Sequence, residues 1–315
     1  MITWGINALN HGSSLAVFNG GELMFNQFDT SDELNSDTTW RAFNYGGPSR
    51  IYWYERPWLK KTRQAYAGQW DRAFDLSVLP SKYLKRIGVG YAKVHYTPHH
   101  GSHAAAGYYT SPFDHCAIVV LDAIGEWECA SIWEGRSGEM KKVWSRSYPN
   151  SLGLFYSAFT HAVGLTPIMD EGKFQQMARN GNPGRYYQKI KQFFDGIVYL
   201  NYNFHRGVGD QKFNIETEKD KCDLAAAVQV VFEEQVSLVM TAAKSITGAD
   251  SLVYMGGAAM NSDANIRVVE PKFKYIWSLP QPGDPSSSIG AVLYHTKHKL
   301  RNINLGVVKH LDIRV

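Results

Sequence analysis

Cys116-Ala117-Ile118-Val119-Val120-Leu121-Asp122 is the stretch on which the fold turns. An apolar run ending in a carboxylate reads as a strand buried on both faces. Residues 128–133 follow as a second strand, 135–138 as a turn and 140–147 as a third strand. The same order opens the chain. Residues 2–6 and 14–18 are apolar, and Asn19-Gly20-Gly21 is a hairpin turn leading into a strand over 22–28. Two three-stranded antiparallel starts, each followed by mixed helix and strand, predict a duplicated α/β unit.

Outward from these starts, residues 223–247 form the strongest helical pattern. Ala226, Val230, Val231, Val236, Val239 and Met240 recur at three- and four-residue spacing, and Gly248 stands just past the end. Residues 252–255 read as a short buried strand running into Gly256-Gly257. Another strand over 276–279 precedes Pro282-Gly283-Asp284 and a helix of small residues over 286–294. Residues 40–90 are rich in Trp, Tyr, Arg and Lys without clean periodicity and read as an insertion. The expected division is an N-terminal lobe over 1–114, with the insertion at about 36–90, and a C-terminal lobe over 115–315.

Composition narrows the class. With 44% hydrophobic and 20% charged residues in 315, a largely disordered chain is excluded. No uncharged apolar run approaches a membrane span, and residues 1–10 lack a basic segment before an apolar one. Cys116, Cys129 and Cys222 are scattered, which excludes a disulfide scaffold or cysteine-rich zinc site. The expectation is a cytoplasmic protein with no membrane partner. The net charge of +4 is unevenly spread: residues 40–72 hold seven Lys/Arg against two acids, and 294–315 hold five against one. Two basic patches on a mildly acidic body suggest anionic partners at local sites.

The sharpest chemical signal is His99-His100-Gly101-Ser102-His103. On a helix, His99 and His103 stand one turn apart on one face, as two ligands of one metal require. The zinc-protease version needs Glu where His100 stands, so that reading fails. Asp122 ends an apolar strand and Asp284 sits at a strand-to-helix turn. Buried carboxylates there are costly unless paired, protonated or bound to a cation. Two His and carboxylate oxygen suit Fe(II), Zn(II) or Mn(II), although capping or core histidines fit the same spacing. The second signal is a pair of glycine turns after strands, Asn10-His11-Gly12 and Gly256-Gly257-Ala258-Ala259-Met260-Asn261. Such turns let backbone N–H groups approach a phosphate, and they also serve as plain tight connections. Neither a Walker loop nor a dinucleotide fingerprint is present.

Taken in order, these segments resemble the NodU/CmcH-type O-carbamoyltransferases. The resemblance rests on His99-His100-Gly101-Ser102-His103-Ala104 with Ser111-Pro112-Phe113, on Asp122-Ala123-Ile124-Gly125-Glu126-Trp127 and on Ser151-Leu152-Gly153. It continues through Asp170-Glu171-Gly172-Lys173, Gly256-Gly257-Ala258-Ala259-Met260-Asn261 and Gly283-Asp284 with Ile289-Gly290-Ala291. It implies an actin-like ATPase fold of two ribonuclease-H-like lobes, with His99, His103, Asp122 and Asp284 holding a metal, iron foremost. It further implies nucleotide phosphates near Asn10, Gly12, Lys173, Gly256, Gly257 and Asn261. Carbamoyl phosphate or a carbamoyl adenylate made from ATP would be the donor, with His11 and His100 handling protons. Family members usually continue into a YrdC-like domain, expected to be absent here, so a separate adenylate-forming protein is a possible partner. Where the family has MGLAPYG, this chain has Gln176-Met177-Ala178-Arg179-Asn180-Gly181.

The acceptor is read from the aromatic and basic stretch. Stacking rings interleaved with cations suit a nucleotide or DNA, and a sugar-binding face uses rings as well. Arg41, Arg50, Trp53, Arg56 and Arg179 are the expected acceptor contacts, and a hydroxymethylated pyrimidine such as 5-hydroxymethylcytosine is the expected acceptor. The alternatives are a threonylcarbamoyl-type tRNA transferase, a sugar or antibiotic carbamoyltransferase, and a non-catalytic nucleotide-binding scaffold.

Overall fold

A computed structural model describes residues 1–300. Strands β1 (Ile2–Asn10), β2 (Gly12–Asn19), β3 (Glu22–Asp29), β4 (Arg50–Trp53) and β5 (Lys93–Tyr96) form one sheet in the order β3-β2-β1-β4-β5. Strands β6 (His115–Gly125), β7 (Glu128–Arg136), β8 (Glu139–Ser147), β9 (Ser251–Met255) and β10 (Tyr275–Trp277) form a second sheet in the equivalent order β8-β7-β6-β9-β10. In each, an antiparallel three-stranded meander is extended by two parallel strands. The two sheets therefore repeat one topology. This is the actin-like ATPase fold, a pair of ribonuclease-H-like units.

Burial follows position in the sheet. The central strands β1 and β6 are buried through their middles on both faces, whereas edge strand β3 alternates exposed and half-buried residues. The reading of 36–90 as an insertion is corrected in part. β4 lies within it, paired parallel to both β1 and β5, and Ile51 to Tyr54 are core residues. With only four residues, β4 is too short a run for period-two alternation to register. Around β4 lie helices α1 (Ser36–Phe43), α2 (Pro57–Tyr66), α3 (Trp70–Phe74) and α4 (Pro80–Arg86).

After β5 comes α5 (His99–Thr110), every residue of which is buried. The second unit adds α6 (Leu152–Ala162), α7 (Glu171–Ala178), α8 (Tyr187–Lys191), α9 (Glu218–Thr247), α10 (Ser262–Ala264) and α11 (Ser287–Thr296). α9 starts at a capping box between Thr217 and Asp220 and ends at Gly248 in the left-handed conformation. It is long and apolar enough to cross a membrane by length and composition, but most of it is packed inside the second unit. Centrally, α5 packs on β6, β7 and β9, while α11 packs on β1, β2 and β4. Where these helices meet, a Cβ on Gly290 would stand 1.8 Å from the Ser102 carbonyl oxygen. The small residues of both helices permit that approach, and it locks the two sheets together through one helix pair.

Candidate metal centre

The carboxyl ends of the central strands of both sheets converge on one place, the usual location of ligand sites in α/β proteins. Asn10 ends β1, Glu55 follows β4, His99 follows β5, Asp122 lies near the end of β6 and Gly256 follows β9. Ladder pairing between β6 and β7 breaks between Leu121 and Gly125, which frees Asp122 from the regular pleat. Its Oδ1 accepts from the Ala123 N–H at 2.9 Å, turning Oδ2 toward the histidines.

Four side chains bring one ligand atom each to within 4.8 Å of all the others: His99, His103, Asp122 and Asp284. His99 Nε2 lies 3.1 Å from Asp122 Oδ2 and 3.3 Å from Asp284 Oδ1. His103 Nε2 lies 3.5 Å and 3.3 Å from the same two oxygens. The two Nε2 atoms are 3.1 Å apart. Ligand atoms held about 2.1 Å from a common ion stand about 3–3.5 Å from one another, so the spacing fits a divalent cation. Asp284 Oδ1 is buried without a hydrogen-bond donor, which is what a metal-directed oxygen looks like.

Charge supports the same fit. Burial opposes ionisation of Asp122 and Asp284, yet hydrogen bonds and charge from the two histidines hold both well below the usual carboxylate range. Burial likewise opposes protonation of His99 and His103, and the two carboxylates overcome it and push both upward. The cluster thus recruits positive charge, from protons or from a cation. Two residues that sequence reasoning missed complete it. Glu55 Oε2 stands 3.9 Å from His99 Nδ1, and the buried Tyr54 ring meets the His99 ring edge-on at 5.4 Å. The rule that picked out Asp122, a carboxylate closing an apolar strand, applies equally to Glu55 after Ile51–Tyr54.

The remaining expected residues divide sharply. Asn10 is at the cluster, where its Nδ2 donates to Asp284 Oδ2 at 2.8 Å. Gly256 holds φ +92 and a Cβ there would strike the Leu121 carbonyl at 2.2 Å, so only glycine fits against β6. The Gly257 N–H points to Asp122 Oδ1 at 3.5 Å. Gly12, at φ +77, makes the β1–β2 turn, on which His11 is exposed.

Others are elsewhere. His100, expected to handle protons, is fully buried, bonded through Nδ1 to Ser131 Oγ at 2.8 Å, and held neutral by burial and by the charge of His99. Asn261 spends its amide on Gln229 and on capping Ala264. Lys173 pairs with Asp170 on the surface. Of the acceptor set, Trp53 is a core residue, Arg41 pairs with Asp37 and Arg179 with Asp263. Arg56 grips Glu126 through Nε and Nη2 while its N–H bonds the same carboxylate, tying the first unit to the β6–β7 turn. Arg50 is exposed. The basic stretch 294–315 lies largely outside the described residues.

Comparison with known proteins places the chain in a family. The chain is 32% identical to an uncharacterised Synechocystis protein over 228 residues, covering 66% of this chain and 37% of that one. It is 24% identical to the nodulation protein NolNO of Sinorhizobium fredii over 212 residues, covering 64% and 31%. The nodulation protein NolO of Bradyrhizobium diazoefficiens is 25% identical, with 62% and 37% covered. The chain thus spans less than half the length of these relatives. In fold it is similar to the activator of the 2-hydroxyisocaproyl-CoA dehydratase of Clostridium difficile, solved with ADPNP (TM-score 0.50, 14% identity, 96% and 99% covered). A similar match is component A of the Acidaminococcus fermentans (R)-2-hydroxyglutaryl-CoA dehydratase (TM-score 0.52, 12% identity, 94% and 99% covered). Residues 53–293, most of the chain and all four residues of the cluster, match the family described as carbamoyltransferase N-terminus, and the chain belongs to that family.

Proposed function

We propose that this chain carries the metal- and nucleotide-binding part of an O-carbamoyltransferase. The observation that carries the reading is the convergence of His99, His103, Asp122 and Asp284, with Asn10 bonded to Asp284 from the turn beside which a phosphate would lie. His99, His103, Asp122 and Asp284 would hold a divalent cation, Fe(II) foremost, which when bound would supply Lewis-acid polarisation of the carbamoyl carbonyl. The donor is carbamoyl phosphate or carbamoyl adenylate. The acceptor hydroxyl oxygen bonds to the carbamoyl carbon, and the bond from that carbon to the phosphate oxygen breaks. Phosphate or AMP leaves with the electron pair, and the hydroxyl proton passes to a base.

The chain's own residues divide this work. Asn10 fixes the outer oxygen of Asp284. The glycine turns at Gly12 and Gly257 let a phosphate approach the backbone closely. His11, exposed on the same turn, takes the proton in place of the buried His100. The acceptor is a hydroxymethylated pyrimidine, supported by the exposed Trp40, Trp58, Tyr66 and Trp70 and the exposed Arg50.

The test supplies purified protein and Fe(II) with ATP and labelled carbamoyl phosphate, or with preformed carbamoyl adenylate. 5-Hydroxymethylcytosine as DNA and as nucleotide, an aminoglycoside and tRNA are offered as acceptors. Mass spectrometry should find one carbamoyl group added to the hydroxymethyl nucleotide. Transfer to the aminoglycoside or tRNA alone would overturn the acceptor, and no transfer even from preformed adenylate would overturn the enzyme.

A further inference from the structure

A second cleft, of about 340 Å³, opens where α2 and the turn after it face the second unit, lined by Tyr66, Gln69, Tyr148, Asn203, His205 and Arg206. Its volume falls at the small end of the range for small-molecule sites, roughly 300–1,000 Å³. None of the expected site residues lines it.

The hydrogen bonds around it orient one another. Arg63, itself buried, donates from Nη1 to Gln69 Oε1 at 3.1 Å and from Nε to the Glu126 carbonyl at 3.3 Å. A guanidinium only donates, so the Gln69 oxygen faces Arg63 and the Gln69 NH2 faces His205 Nε2 at 3.2 Å. His205 Nε2 is then the acceptor and Nδ1 carries the proton, donated to the Tyr148 hydroxyl at 3.1 Å. Asn203 Nδ2 also donates to that hydroxyl, at 3.0 Å. With both lone pairs taken, the Tyr148 O–H proton is left to donate. His205 is kept neutral by burial and by Arg63 and Arg72, which matches this assignment.

Arg206 lines the cleft, and Arg63 and Arg72 lie near enough for their charge to act on His205. Arg63, Arg72 and Arg206 have no carboxylate partner within ion-pair distance among the described residues, although most other arginines here are paired. A buried guanidinium bonded only to neutral oxygens calls for an anion. Tyr66 and Tyr148 meet nearly at right angles, 86°, and give a ring two apolar walls. The wall toward the metal cluster is thin: Glu126, whose carbonyl binds Arg63, follows Gly125, where a Cβ would touch His99 at 2.3 Å.

We infer that this cleft binds the phosphate monoester of a small ring compound the size of a mononucleotide, with the phosphate against Arg206 and the Tyr148 hydroxyl, the buried Arg63 adding its charge from behind Gln69, and the ring against Tyr66. That the ligand is the carbamoyl acceptor rests on the transferase reading; that it binds here does not.

Binding is measured by calorimetry on the metal-free protein without carbamoyl donor, using dCMP, deoxycytidine and benzoate as probes. dCMP should bind at least about tenfold more tightly than deoxycytidine. Arg206→Ala and Tyr148→Phe should each weaken dCMP about tenfold at unchanged melting temperature, and Asn10→Ala, in the metal cleft, should leave it unchanged. Arg206 is exposed, so its variant decides the matter if Tyr148→Phe folds poorly. Equal binding of dCMP and deoxycytidine, preference for benzoate, or a loss confined to Asn10→Ala would each overturn the inference.

Discussion

Replacing Asn10 with Ala should weaken metal binding without removing a ligand. The Asn10 amide donates at 2.8 Å to the outer oxygen of Asp284, and the inner oxygen stands 3.3 Å from both imidazole nitrogens. Without the amide, the carboxylate can rotate about its last bond, and the geometry that holds Oδ1 at the histidines is lost. A hydrogen bond to a charged group contributes about 1.5–3 kcal/mol. Some of that is recovered by water, so the expected loss in affinity is about 10–100-fold, in line with outer partners of metal ligands generally. The backbone pairing of Asn10 with Gly12 is untouched by the change, so the strand stays in place. Co(II) titration followed by visible absorption reads both affinity and geometry. The Asn10→Ala protein should reach the wild-type spectrum at higher Co(II), whereas His103→Ala should not reach it at all. An affinity within about threefold of wild type, against the tenfold minimum expected of an orienting partner, would refute the role given to Asn10.

Gly290→Ala would set a Cβ 1.8 Å from the Ser102 carbonyl, between backbones that cannot yield separately. It should cost about 3 kcal/mol or more, read as a lowered denaturant midpoint, and a neutral outcome would mean that α5 and α11 are not so close. Asp220 is held well below the usual carboxylate range by the Thr217 and Glu216 N–H groups, with Arg185 adding to them. Its contribution is therefore present above the unfolded value near pH 4 and lost as pH falls through the lower folded value. Asp220→Asn should be less stable than wild type at pH 7, and the gap in denaturant midpoint should narrow in acid; a constant gap would contradict this. For the thiols, burial pushes Cys116 up to about 12 and Cys129 higher, while Cys222 is only half-buried. A disulfide reagent should titrate one thiol in the native protein and three after denaturation, and rapid modification of Cys116 would show that its strand is not buried.

Much of the design was legible along the chain because it is local. The two meanders, the Gly248 end of α9 and the one-turn spacing of His99 and His103 depend on neighbours a few residues away, and residue type and periodicity report such neighbours directly, although the pattern that begins at 223 misses the Thr217 cap of α9. Asp122 and Asp284 could be singled out because a carboxylate beside an apolar strand carries a cost wherever the chain goes. That these four atoms face one another, and that Asn10 reaches Asp284 across 274 positions, was decided only by packing. So was the fate of the arginines. A cation in a sequence looks free, but whether Arg56 waits for a substrate or is spent on Glu126 depends on which turn lies beside it, 70 residues away. Trp53 likewise reads as a stacking platform until β4 is seen between two parallel partners, where its ring fills the core. The cleft beside Arg206 had no signature at all, because its donors come from both units and acquire a common direction only when the two sheets are clamped together by α5 and α11.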